Sequence, residues 1–220
     1  MPEWSTYSLS DLVLFTARTY YRQFELYNQD MWPLHILAIA SGVAILVVLR
    51  FKPHWHGRAI AAILTVSWLW VAWAYHHERF ALINWVASWY AIAFAIEALI
   101  LFWVGVIRNQ FLITRTRALN VAGLLIFVFA LFVLAFISLL IGREWKQVEL
   151  FAIAPDPTVL ATLGLMLLLS NSTWLVFVIP VTWCLISGAT LWVLESPVAL
   201  ILPLIAFVTL VFLTLKRQTK

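Results

Sequence analysis

The stretch Trp85–Ile107 reads WVASWYAIAFAIEALILFWVGVI, 23 residues with one charged side chain, Glu97. A helix needs about 20 apolar residues to cross the hydrocarbon core of a bilayer, so this stretch is long enough to span. Six further runs have the same character: 31–50, 59–76, 118–142, 157–170, 173–194 and 198–215. The run 157–170 is short, and 198–215 sits at the lower limit of a span. Of the 220 residues, 64% are hydrophobic and 11% charged, against about 25% charged in an ordinary soluble domain. A water-soluble fold cannot hide that much apolar surface, so lipid is the expected solvent. The expected fold is all-α: a polytopic transmembrane bundle of seven helices (31–220) preceded by an amphipathic N-terminal segment (1–30).

The charges support this division. With seven spans, one face holds the N-terminal segment and the loops near 77–84, 143–156 and 195–197. It carries nine acids (Glu3, Asp11, Glu25, Asp30, Glu78, Glu144, Glu149, Asp156, Glu195) and five bases (Arg18, Arg22, Arg79, Arg143, Lys146). The other face holds the loops near 51–58 and 108–117 and the C-terminal tail, with nine bases and no acid. The positive-inside rule places the basic face in the cytoplasm. The N-terminus is then expected outside and the C-terminus inside, and the basic face is expected to favour anionic lipid. One alternative concerns 157–170, which precedes the uncharged link Ser170-Asn171-Ser172. It could be re-entrant rather than a crossing, because backbone that stops midway is tolerated where protein covers it.

Residues 8–28 place Leu12, Phe15, Tyr20, Phe24 and Tyr27 at helical spacing, with Arg18, Arg22 and Glu25 between them. Ser8 and Asp11 form a start like a capping box. The pattern predicts an amphipathic helix on the outer surface, either anchored at headgroup depth or lying as a lid over the bundle. Arg22 and Glu25 are spaced to pair. Trp68, Trp70 and Trp183 fall at mid-depth, where an indole N–H needs a partner. Ala87, Ala91 and Ala95 recur every four residues; small residues let helix backbones approach, so the third run is expected at the centre. Pro180 and Pro203 are expected to interrupt runs six and seven.

Glu97 is the strongest candidate for function. An ionised carboxylate near the bilayer midplane costs at least about 2.5–3.5 kcal/mol, so it faces the bundle, holds a proton or meets a partner. His35, His76, His77 and Asn84 lie near the outer ends of their runs and are the candidate lining of an outward-opening substrate or proton pathway. His76, His77 and Glu78 are the weak metal candidates. Adjacent histidines point about 100° apart on a helix, so His76 and His77 cannot both face one centre without a break. The sequence leaves the cofactor unknown. There is no H-E-x-x-H, G-x-S-x-G or phosphate loop, and the lone Cys184 rules out an intrachain disulfide. The net charge of +4 is explained by membrane orientation, so nucleic acid is not an expected partner; other membrane subunits or further copies of this chain are.

Several segments resemble an uncharacterised bacterial family of polytopic membrane proteins, a domain of unknown function. They are Glu3-Trp4-Ser5-Thr6-Tyr7-Ser8-Leu9-Ser10-Asp11, Arg18-Thr19-Tyr20-Tyr21, Phe24-Glu25-Leu26-Tyr27-Asn28, Arg79-Phe80-Ala81-Leu82-Ile83-Asn84-Trp85, Ala154-Pro155-Asp156-Pro157-Thr158 and Thr162-Leu163-Gly164. The resemblance covers nearly the whole chain. It implies a bacterial inner-membrane setting and brings no activity, substrate or site residue with it. Three functional readings follow from the residues. The leading one is transport or channel-type handling of a small solute, ion or proton. The others are a non-catalytic subunit of a larger membrane complex and a metal-dependent membrane enzyme.

Overall fold

The computed structural model describes residues 13–113, 116–169 and 173–218, without the side chains of 215–218. Within them the protein is all-α. Helix α1 spans Ala17–Asp30, α2 Leu34–Phe51, α3 His56–Trp70 and α4 Ala87–Leu101. Then come α5 (Arg117–Val128), α6 (Leu134–Leu140), α7 (Pro155–Leu168), α8 (Leu175–Val193) and α9 (Ile201–Gln218). Wide π turns continue α3 through Val71–His77 and α4 through Phe102–Ile107, and join α5 to α6 through Phe129–Val133. Five helical rods are long and apolar enough to cross a membrane: Leu34–Phe51, His56–Leu82, Ala87–Ile107, Arg117–Leu140 and Leu175–Val193. Two apolar helices, Pro155–Leu168 and Ile201–Thr214, are shorter. Leu37, Val66, Leu99, Leu125, Phe136 and Phe207 are exposed on the helix flanks, an apolar exterior compatible with a membrane-embedded protein.

The loops gather at two ends. At one, Tyr27 Oη donates to Ile153 O (3.2 Å) and Asn28 Nδ2 to Lys146 O and Val148 O (2.7 and 2.9 Å). Arg79 pairs with Asp30, and Tyr21 Oη donates to Ser196 Oγ (3.3 Å). At the other end Ile113 bridges to Leu169, Gly57 lies against the Phe111 carbonyl, and Thr173 Oγ1 donates to Gln110 Oε1 (3.4 Å). These are the two sets of loops that the charge pattern separates.

Helix α1 begins at Ala17 because the side chain of Thr16 accepts from Thr19 N at 3.2 Å. The expected earlier start differs from this, since 13–16 are not helical; Ser8 and Asp11 lie outside the described residues. Arg22 and Glu25 pair as their spacing predicts (2.5 Å). The aromatic stripe of α1 is turned onto protein: Tyr20, Phe24 and Tyr27 are buried. Phe24 stacks on Tyr75 (ring centroids 5.2 Å), and Tyr20 meets Phe80 edge-on (6.1 Å). Of the two arrangements open to this segment, the packing is that of a lid over the bundle end.

The expectation that the third run is central is corrected. On α4, the equivalent helix, Ala87 is buried, but Ala91 and Ala95 are only half-buried. The central helix is α7, in which every residue from Pro155 to Leu168 is buried. Its 14 residues rise about 21 Å at about 1.5 Å each, short of a hydrocarbon core of about 30 Å. Its extended continuation at Leu169 nevertheless reaches Ile113 at the far end. Gly123 on α5 and Gly164 on α7 permit the closest approach. A Cβ at Gly123 would lie 2.5 Å from the Gly164 carbonyl oxygen, and one at Gly164 would lie 2.7 Å from that of Gly123. Pro155 and Pro157 occupy the first turn of α7, where an absent N–H costs nothing. Pro203 likewise falls in the first turn of α9 rather than interrupting it, while Pro180 is inside α8.

Candidate functional site

The polar interior lies beneath α1. The π turn at the end of α3 widens the backbone spiral and carries Tyr75 and His76 inward. His76 is fully buried in a box of rings. Phe94 lies 4.4 Å away, Trp183 4.9 Å, Tyr75 5.1 Å, Tyr90 5.9 Å and Phe80 6.1 Å between centroids. Neither imidazole nitrogen has a hydrogen-bond partner among the described residues.

Trp183 links this box to α7. Its indole Nε1–H donates to Asp156 Oδ1 (2.8 Å), and Ser187 Oγ, one turn on along α8, donates to Asp156 Oδ2 (2.8 Å). Asp156 is thus a buried carboxylate with a donor on each oxygen, at the start of the central helix. Nearly two turns deeper, Trp68 Nε1 donates to Thr162 Oγ1 (2.9 Å). Trp70 Nε1 donates to Tyr27 Oη (3.2 Å). Each mid-depth tryptophan therefore has the partner its indole requires.

Between α1 and the loop before α7, Arg143 and Glu149 form a buried ion pair (3.0 Å, each side chain 6% exposed). Arg143 Nη2 also donates to Tyr21 Oη (3.0 Å), and its guanidinium lies over the Tyr21 ring at 4.0 Å. The pair therefore pins α1 to the bundle. Burial, followed by the charge of Asp156, pushes the Glu149 carboxyl up to about 7, against the opposing pull of Arg143. Burial and the charges of Glu149 and Asp156 likewise hold the Tyr20 hydroxyl well above its ordinary range.

Glu97 is fully buried on α4, three residues past Phe94, and neither carboxylate oxygen has a hydrogen-bond partner among the described residues. Spacing of three puts Phe94 and Glu97 on one helix face. His76, Phe94 and Glu97 thus form a buried series running inward from the α1 end.

The other candidates do not join it. His35 Nε2 meets Asn28 Oδ1 (3.2 Å) at a separate cavity of about 630 Å³ lined by Asn28, Trp32, His35, Trp145 and Lys146. The His77 side chain is exposed, 3.9 Å from Glu78. Asn84 Oδ1 accepts from Val86 N (3.1 Å), ending a turn before α4. His76 and His77 face apart as their adjacency requires, and among the described residues no three His, Cys, Asp or Glu side chains come together.

Asp156, Glu149 and Arg143 are further candidates, buried and paired, that their place outside the apolar runs concealed. Two signals pointed to the first of them. Asp156 stands between two prolines at a helix start, and Trp183 and Ser187 present donors four residues apart. No curated protein and no solved structure matches the chain. The model of a family of unknown function, DUF6064, matches residues 17–220, and the chain belongs to that family.

Proposed function

We propose that this chain is an integral membrane protein that moves a proton, ion or small solute, with Glu97 as its deep protonatable group. The observation that carries this reading is an enclosed carboxylate with no hydrogen-bond partner among the described residues. A group so costly to bury in one protonation state suits a task that alternates between two. His76 above it, and the Arg143–Glu149–Asp156 cluster under the α1 lid, supply further polar stations toward one end. In this reading all seven apolar helices cross the bilayer of a bacterial inner membrane. The α1 end faces outward and the basic loops face the cytoplasm, following the loop charges. Solute enters past α1, and Glu97 accepts a proton when the bundle opens to it.

Proton flux into proteoliposomes tests this. Glu97→Gln keeps the shape and removes the titration, so flux is expected to fall at least about tenfold, as for loss of a proton-transfer group. Undiminished flux in an active preparation would reject the role of Glu97.

A further inference from the structure

A second polar feature lies on the other flank of α1 and is independent of Glu97. Between α1 and the turn Phe80–Leu82 is a cleft of about 370 Å³ lined by Arg18, Thr19, Arg22, Gln23, Arg79 and Leu82, with Leu26 and Ile83 completing its walls. Three arginines line it, and among the described residues no acidic residue does. Arg22 and Arg79 are each steadied from outside the lining, by Glu25 and Asp30. Arg18 has no ion pair among the described residues. Gln23 is 9% exposed, and both its amide nitrogen and its amide oxygen lack a hydrogen-bond partner among the described residues. A buried amide left unpaired is costly, and Gln23 lines the cleft.

We propose that this cleft binds a phosphate-type oxyanion, either on a phospholipid headgroup or as free phosphate. Guanidinium forks match the spacing of phosphate oxygens and bind them through charge-assisted hydrogen bonds. Arg18, without an ion pair among the described residues, offers a fork, Arg22 and Arg79 add charge, and the Gln23 Nε2–H group gains its acceptor. Leu26 and Leu82, both exposed beside the arginines, offer an apolar wall for the rest of an amphiphile. This places an anion site at the end of the bundle richer in acids, away from the basic loops.

The test uses the full chain in nanodiscs. In phosphatidylcholine discs, inorganic phosphate is titrated and the thermal midpoint followed. In discs containing phosphatidylglycerol, lipid retained by the protein is measured by native mass spectrometry. Wild type is expected to respond in at least one arm; phosphate alone identifies a free anion, and lipid alone a headgroup. Arg18→Gln and Gln23→Glu are each expected to weaken the response at least about tenfold, the loss of one charge-assisted contact; Arg18 is exposed, so Arg18→Gln should leave the ligand-free midpoint unchanged. Arg18→Lys, which keeps the charge and loses the fork, should fall between. No response in either arm, or a response undiminished in Arg18→Gln and Gln23→Glu, overturns the assignment.

Discussion

Trp183 Nε1 and Asp156 Oδ1 lie 2.8 Å apart, and this bond joins the aromatic box around His76 to the first turn of the central helix. A hydrogen bond to a charged group contributes about 1.5–3 kcal/mol. Trp183→Phe keeps most of the ring packing and removes the donor. The expected result is about 2 kcal/mol of lost stability, read as a lower thermal midpoint in detergent. Adding Ser187→Ala should cost more than the sum of the two single changes, because Asp156 then keeps neither donor. Simple additivity would show that the two donors act apart.

The contact between Gly123 and Gly164 leaves no room for a methyl group on either helix. A Cβ at either position would meet the partner's carbonyl oxygen at 2.5 or 2.7 Å. Gly123→Ala and Gly164→Ala are each expected to destabilise by about 1–3 kcal/mol through overpacking. Thermal unfolding in detergent would show it, and an unchanged midpoint would mean that α5 and α7 can separate without loss.

Glu149 makes stability depend on pH. Its carboxyl is pushed up from the ordinary 4.5 to about 7 by burial and the charge of Asp156. The folded protein therefore binds this proton more tightly than the unfolded chain. That contribution is complete below about pH 4.5 and is lost as the pH rises through about 7. The thermal midpoint should fall between pH 5 and pH 8, and Glu149→Gln should flatten the slope across that window. A slope that persists in the variant would assign the titration to another group.

Arg143 holds α1 down through Tyr21 and Glu149. Breaking a buried pair from one side costs about 3–5 kcal/mol because the surviving charge is left alone. Arg143→Gln should therefore expose the α1 segment to limited proteolysis. Arg143→Gln combined with Glu149→Gln removes both charges and should be less damaging than Arg143→Gln alone. Equal cleavage of wild type and Arg143→Gln would show that the aromatic face of α1 suffices to hold it.

Much of the architecture was legible in the sequence, and the reasons are physical. Every apolar run appears as a helix, because run length and missing charge report directly on burial in an apolar medium. The tryptophans at mid-depth announced that partners were needed, though not which. The centre of the bundle could not be read from the Ala87, Ala91 and Ala95 stripe. Small residues permit close packing without requiring it, and α7, which is enclosed, carries a less regular set. Asp156, Glu149 and Arg143 looked like loop charges because a carboxylate at the end of a run has the same sequence signature in water and beneath a lid. Burial there depends on α1, more than a hundred residues away. The histidines failed to gather for a local reason: the π turn rotates His76 inward and leaves His77 outside.

The enclosure of α7 bears on biogenesis. A segment with every residue buried cannot settle as an independent unit, and its polar groups are partnered by helices on either side of it in the chain. Trp68 is already made when Thr162 emerges, but Trp183 and Ser187 come after Asp156. A ribosome-bound chain stalled before residue 183 therefore holds Asp156 with neither of these donors. The middle of the protein is completed only by the part synthesised after it.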